Sequence, residues 1–165
     1  MGLFSKKVKA ASNAVLEIFA PVDGKIIDLT EVQDEMFAEK MMGDGVAIVP
    51  ANGNFVSPMD GELVTVFKPS GHAYGIKANN GVELLIHIGL DTVALAGEGF
   101  DIKVNQGDKI KKGEALVNVD LASVTPKVPS IETPIIFMTD SVAGKKMTIV
   151  KTGEVKAGDL IVTIA

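Results

Sequence analysis

The chain has two histidines and no cysteine. His72 and His87 close the two ends of the stretch HAYGIKANNGVELLIH. Without cysteine, disulfides, thiolate catalysis and thiolate-bound metals are excluded. Three kinds of chemistry remain open to a pair of imidazoles: metal ligation, proton transfer and nucleophilic attack.

All three require the histidines to meet. Asn80-Gly81 between them is a strong signal for a two-residue hairpin turn of type I′. That loop pairs His72 with Gly89 and Tyr74 with His87. Cross-strand partners share a face, so the two histidines become diagonal neighbours, with Cβ atoms about 7–8 Å apart. A three-residue loop would shift the register by one and separate the faces. On the second strand the even positions Val82, Leu84, Ile86, Ile88 and Leu90 form an apolar face suited to a core. The odd positions Glu83, Leu85, His87, Gly89 and Asp91 face away from it. Gly89 leaves room for an approaching group.

Each chemistry places its own demand on the residues. Catalytic zinc normally has three protein ligands, and there is no His-Glu-x-x-His here. With Asp91 as the third ligand, His72 and His87 would make a zinc-dependent hydrolase. A proton-transfer pair needs a substrate pocket. In the nucleophilic reading, a neutral imidazole nitrogen attacks phosphorus and the second histidine hydrogen-bonds the phosphoryl oxygens. Residue types alone do not rank the last two.

The elements that must position these residues read almost entirely as strand and turn. Short runs such as GKIIDL, GVAIVP, GELVTVF, GEALVNVDL and DLIVTIA are punctuated by Gly, Asp and Asn. Leu121–Ser130 is broken by two prolines and has room for one helical turn. The expected fold class is all-β, an antiparallel sandwich or barrel with little helix. An internal repeat runs through it. APVDGKIIDL (20–29) aligns with SPMDGELVTV (57–66), and GVAIV (45–49) with GVELL (81–85). GDKIKKGEALVNV (107–119) is echoed by GEVKAGDLIVTI (153–164). Two related β units packed face to face around one core are expected. The same offsets set His87 against Pro50 or Ala51, and His72 against Phe37. The first copy therefore lacks both histidines.

With 165 residues the chain suits a single domain at 18–165 behind a flexible basic tail at 1–17. The net charge is −5, yet residues 1–16 hold Lys6, Lys7 and Lys9 and no acid. The acidic excess lies in the body, which excludes a nucleic-acid partner and suits basic ones. No apolar run approaches the roughly 20 residues of a membrane span, and the N-terminus reads as neither a secretory signal nor a myristoylation site. Leu3, Phe4, Val8 and Ala11 share one helical face among the lysines, so residues 2–11 could lie on anionic lipid.

FAEKMMGDGVAIVP, SPMDGELVTVF, SGHAYGIKANNGVELLIHIGLDTV and GEGF together resemble the glucose-type IIA component of the bacterial phosphoenolpyruvate:sugar phosphotransferase system. The resemblance runs from about Ile18 to the C-terminus. It implies an antiparallel β-sandwich with a duplicated hybrid motif, acting in the cytoplasm as a monomer without a required cofactor. His87 would accept a phosphoryl group from the phosphocarrier protein HPr and pass it to a cysteine of a sugar permease's IIB domain. His72 would stabilise that group. Ser70, standing where many members have Thr, would join its hydrogen-bond network. Phe37 and Phe67 resemble an aromatic rim, and Asp34 and Asp91 resemble rim acids. Some members also regulate non-phosphotransferase permeases and glycerol kinase, with zinc held by the positions of His72 and His87 and a partner carboxylate. Tails like this one contact the inner face of the membrane in some members.

Overall fold

The computed structural model describes residues 15–165. The proposed lipid contact of residues 2–11 lies outside them. Strands dominate the regular structure of the described chain: β1 (Leu16–Phe19), β2 (Gly24–Asp28), β3 (Gly43–Pro50), β4 (Asn54–Val56), β5 (Gly61–Val66), β6 (Ala73–Lys77), β7 (Glu83–His87), β8 (Phe100–Ile102), β9 (Lys109–Ile110), β10 (Ala115–Val119), β11 (Thr133–Met138), β12 (Met147–Ile149), β13 (Gly153–Val155) and β14 (Leu160–Ile164). The helices are single turns, among them Glu35–Ala38 and Leu121–Val124, the latter inside the proline-broken segment. The first strand begins two residues ahead of the expected domain start at Ile18.

All pairings are antiparallel. One sheet of eight strands has the order β13-β2-β3-β11-β7-β6-β5-β9, and two sheets of three have the orders β1-β14-β12 and β4-β10-β8. Ile18, Val162 and Ile164 of one small sheet and Phe55, Val117 and Val119 of the other share one buried cluster with Ile26, Leu63, Leu84 and Ile86 of the large sheet. The result is a sandwich, as expected.

The sheet orders contain the duplication. In the large sheet β13-β2-β3-β11 mirrors β9-β5-β6-β7, and β1-β14-β12 mirrors β4-β10-β8. Strands β4 to β10 thus form one complete seven-strand unit, inserted between β3 and β11 of the other. Two expectations change. The units join side by side through the β11–β7 ladder, as well as across the core. The counterpart of β3 is β6, so GVAIV and GVELL are not equivalent. His87 corresponds to a position on β11, and His72 to the start of β3.

The two sequence echoes prove to be parts of one local device. Asp23 accepts a hydrogen bond from the amide of Ala157 at 2.8 Å, and Asp60 accepts one from the amide of Lys112 at 2.8 Å. Each Pro-x-Asp-Gly turn therefore holds the Lys-x-Gly turn of its own unit. The glycine after each Asp starts a strand where the neighbouring backbone is close. A Cβ on Gly24 would stand 2.3 Å from the Val49 carbonyl oxygen, and one on Gly61 would stand 2.6 Å from that of Lys77.

The hairpin register differs from expectation. Ala73 faces His87 and Tyr74 faces Ile86. The loop has three residues, Asn79, Asn80 and Gly81, closed by bonds from the Ala78 amide to the Val82 carbonyl and from the Gly81 amide to the Ala78 carbonyl. Gly81 takes the left-handed position of this turn at φ +93°. The facing of β7 is as read: Leu84 and Ile86 are buried in the main core, and Leu85 and His87 are on the other side. That other side is not bare. Leu29, Val32, Phe37, Ala47, Leu90 and Ile136 form a second buried cluster, with Leu85 packed against it.

Gly24→Ala and Gly61→Ala should each destabilise the fold by about 1–3 kcal/mol, because the new methyl meets backbone rather than a movable side chain. Urea unfolding should show a lower midpoint with an unchanged slope for both.

Candidate functional site

His87 is the last residue of β7 and is half-buried. His72 is one residue ahead of β6 and is buried. The shifted register alone would send their side chains to opposite faces. They meet at the very end of the ladder, where His72 follows Gly71 at φ +66° and precedes the first residue of β6. The His72 carbonyl takes the Ile88 amide at 2.7 Å, which ties the two backbones together. The rings stand edge to face, with centroids 4.9 Å apart and planes at 83°.

Each ring has one nitrogen engaged. Nδ1 of His87 is 2.8 Å from the Gly89 carbonyl oxygen. A carbonyl only accepts, so Nδ1 carries the proton and the neutral ring keeps its lone pair on Nε2. Nδ1 of His72 is 2.6 Å from the Ser70 hydroxyl. The other acceptor near that hydroxyl, the Phe67 carbonyl, is 3.5 Å away. The serine proton is thus better placed on Nδ1, which leaves Nε2 of His72 as an N–H donor. One imidazole offers a lone pair and its neighbour offers a proton.

Burial reinforces this division. It lowers the His72 pKa to about 4, with repulsion from His87 as the smaller cause. It also lowers the His87 pKa, against the Gly89 carbonyl and the charges of Asp34 and Asp91, which favour the protonated ring. Both rings are therefore neutral at neutral pH.

The expected rim residues divide. Phe67 is half-exposed, with its ring centroid 5.5 Å from that of His72. Phe37 is buried in the second cluster, and its ring lies 5.0 Å from that of His87. It backs the histidine rather than forming an open rim. Asp34 caps the helical turn that carries Phe37, accepting from the Met36 amide at 2.9 Å. Asp91 is exposed and left-handed, at φ 57°. Sequence reading missed three exposed apolar side chains on the flanking segments, Met36, Met41 and Val93. Their signal was apolar side chains in the short segments next to the strand ends, residues 34–43 and 91–97.

A cleft of about 850 Å³ lined by Val15, Phe19, Met59, Lys112 and Lys145 contains neither histidine. No helix among the described residues is long and apolar enough to cross a membrane. Among those residues, no group of three or more His, Cys, Asp or Glu stands close enough to hold a metal ion. The three-ligand set of the hydrolase alternative is thus not assembled, and nothing found supports that alternative.

The lowered histidine pKa values set a pH dependence of stability. The unfolded chain takes up these protons near the ordinary value of 6.5, and the folded chain resists them until near pH 4 at His72. Their contribution is complete above pH 6.5 and is lost as the pH falls towards 4. Urea midpoints should fall over that window, and less steeply in His72→Gln than in the parent.

Comparison with known proteins shows the family. The family described as phosphoenolpyruvate-dependent sugar phosphotransferase system, EIIA 1, matches residues 16–143. A glucose-specific EIIA component of Mycoplasma capricolum is 53% identical over 90% of this chain and 95% of its own length. One from Oceanobacillus iheyensis is 47% identical over 93% of this chain and 92% of its own. A glucose-specific EIICBA component of Staphylococcus carnosus is 43% identical over 96% of this chain, which spans only 23% of that longer protein. The solved structure of glucose permease IIA from Mycoplasma capricolum superposes with a TM-score of 0.87 at 52% identity, covering 92% of this chain and 96% of that one. The sequence and the fold thus recur in a known setting: the chain belongs to the EIIA 1 family of the phosphoenolpyruvate-dependent sugar phosphotransferase system, and its work is phosphoryl transfer.

Proposed function

We propose that His87 carries the phosphoryl group and that its Nε2 is the nucleophile. The observation that carries this reading is the bond from Nδ1–H to the Gly89 carbonyl, which leaves a lone pair on Nε2 beside a second, proton-donating imidazole. The donor is phospho-HPr. Nε2 attacks its phosphorus, an N–P bond forms on His87, and the N–P bond to HPr breaks with its electron pair returning to the HPr imidazole. Nδ1 keeps its proton on the Gly89 carbonyl throughout. His72 donates from Nε2 to a phosphoryl oxygen and is oriented by Ser70. In the second step a cysteine thiolate of a IIB domain attacks phosphorus, and the N–P electron pair returns to Nε2. Neither step needs a metal, since transfer from nitrogen to nitrogen and then to sulfur rests on positioning and charge stabilisation.

The IIB partner is supported by relatives whose printed names join EIIA to EIICB in one chain. Phe67, Met36, Met41 and Val93 supply apolar area for a brief docking face, with Asp34 and Asp91 as acids that suit basic partners. The chain from β1 onward acts as one domain behind a basic tail, as a cytoplasmic monomer. Docking of non-phosphotransferase permeases or glycerol kinase, and contact of the tail with the inner membrane face, rest on the family resemblance. Zinc at His72 and His87 would need a carboxylate from such a partner, and Nε2 of His72 would have to give up its proton.

The test is intact mass after incubation with phosphoenolpyruvate and the general phosphotransferase proteins. One acid-labile phosphoryl group is expected on the parent chain and none on His87→Ala. His72→Gln should still accept the group and should donate it at least about a hundredfold more slowly. Normal labelling of His87→Ala would falsify the assignment. The rate of acceptance should be level near pH 7–8 and fall only below the ordinary histidine range, because burial holds the His87 pKa down.

A further inference from the structure

We propose that Thr92 is a positioning residue for phosphoryl transfer, fixing the peptide that aims the Gly89 carbonyl at Nδ1 of His87. The inference rests on His87 as the phosphoryl carrier. Thr92 is buried, 1% exposed, and lies two residues beyond the strand-end turn it supports. Its hydroxyl donates to the Ile88 carbonyl at 2.6 Å. The Ile88 carbonyl and the Gly89 amide belong to one peptide unit. That amide points to the Thr133 hydroxyl at 3.4 Å, so the plane is held from both ends. The next peptide unit supplies the Gly89 carbonyl to His87, while its Leu90 amide is held by the Ser130 carbonyl at 2.9 Å.

Thr92 acts through shape as well as through its hydroxyl. Gly89 is left-handed at φ +71°, and a Cβ there would stand 2.6 Å from Cγ2 of Thr92. The methyl group thus packs on the bare α-carbon and blocks that side of the turn. Asp91, itself left-handed at φ 57°, turns the chain so that Thr92 comes back under Ile88. The Ile88 residue is also the link to the second histidine, since its amide donates to the His72 carbonyl. One buried hydroxyl therefore bears on the orientation of both rings without touching either.

If the Ile88–Gly89 peptide is released, the next unit keeps only its bond to the Ser130 carbonyl, so the Gly89 carbonyl shifts off the line to Nδ1 and the His87 proton redistributes between its two nitrogens. A proton on Nε2 removes the nucleophile. The test compares Thr92→Val, which keeps the shape and loses the hydroxyl, with Thr92→Ser, which keeps the hydroxyl. Nitrogen-15 chemical shifts of the imidazole report the tautomer of His87 directly, independent of any phosphorylation. The parent should be almost wholly in the Nδ1–H form. Thr92→Val should show a substantial Nε2–H form and accept phosphate from phospho-HPr about tenfold more slowly, and Thr92→Ser should recover to within about twofold. A Thr92→Val chain with a lower Tm but the parental tautomer and rate overturns the proposal. Thr133→Val, which frees the other end of the same peptide, is the second variant should Thr92→Val not fold: an unchanged tautomer there also overturns it. Labelling of the parent at a residue other than His87 would sink the carrier assignment while leaving the tautomer result readable.

Discussion

The site depends on one hydrogen bond, from Nδ1 of His87 to the carbonyl oxygen of Gly89. Both nitrogens of an imidazole are basic, and nothing in the ring itself decides which one holds the proton. A backbone carbonyl two residues away decides it. Such a partner is always an acceptor, costs no side chain and does not titrate. The constraint then propagates outward. For the carbonyl to reach back, Gly89 must be left-handed, and a residue with a Cβ would collide with Thr92 and approach the Ser130 carbonyl to 3.2 Å. The turn after β7 and the segment entering β11 are thus shaped around a single proton.

The duplicated scaffold explains why the histidines can be placed so firmly. β7 and β11 pair at the centre of the eight-stranded sheet, and each is buried on the main-core face. A side chain at the end of a central strand inherits that rigidity. The two units differ in what they add to the shared pattern. The first inserts the 29–42 segment, whose Leu29, Val32 and Phe37 cover the outer face of the sheet and bring Phe37 against His87. The second carries both histidines. The site therefore lies where a specialised strand end of one unit meets a covering segment of the other.

Much of this is legible in the residues. The apolar even positions of β7 set its faces, and the matched Pro-x-Asp-Gly and Lys-x-Gly segments mark the two units. The hairpin register was also within reach. Tyr74 and Ile76 are the large apolar residues of β6, so they belong on the same face as Ile86 and Leu84. A two-residue loop would have set Tyr74 opposite His87 and mixed core with outer face, which a half-buried sheet does not tolerate. The Asn-Gly step drew attention to the shorter loop, although glycine serves the three-residue loop equally well. What the residues do not reveal is the path of His72. In strict alternation it would join Tyr74 in the core, yet at the strand end, next to the left-handed Gly71, its ring meets that of His87. Sequence periodicity describes strands, and this side chain belongs to the approach to one.

The same limits account for the shape of the site. A relay must release its partner after each transfer, so it gains nothing from a deep enclosing pocket, where affinity accumulates. The side chains proposed to do the chemistry are largely withdrawn from solvent, while those proposed to meet partners are not. His72, Ser70 and Phe37 are withdrawn from solvent, while Phe67, Met36, Met41 and Val93 stand about half-exposed or more. Burial keeps both rings neutral and their protons assigned, and in the proposed relay the exposed side chains let two partners dock in turn. Had His72 been as open as Phe67, solvent would have stabilised its protonated form, and the division into one donor and one nucleophile would weaken with every fall in pH. The depth of two imidazoles and the openness of the side chains around them are therefore separate requirements, met on one face of one sheet.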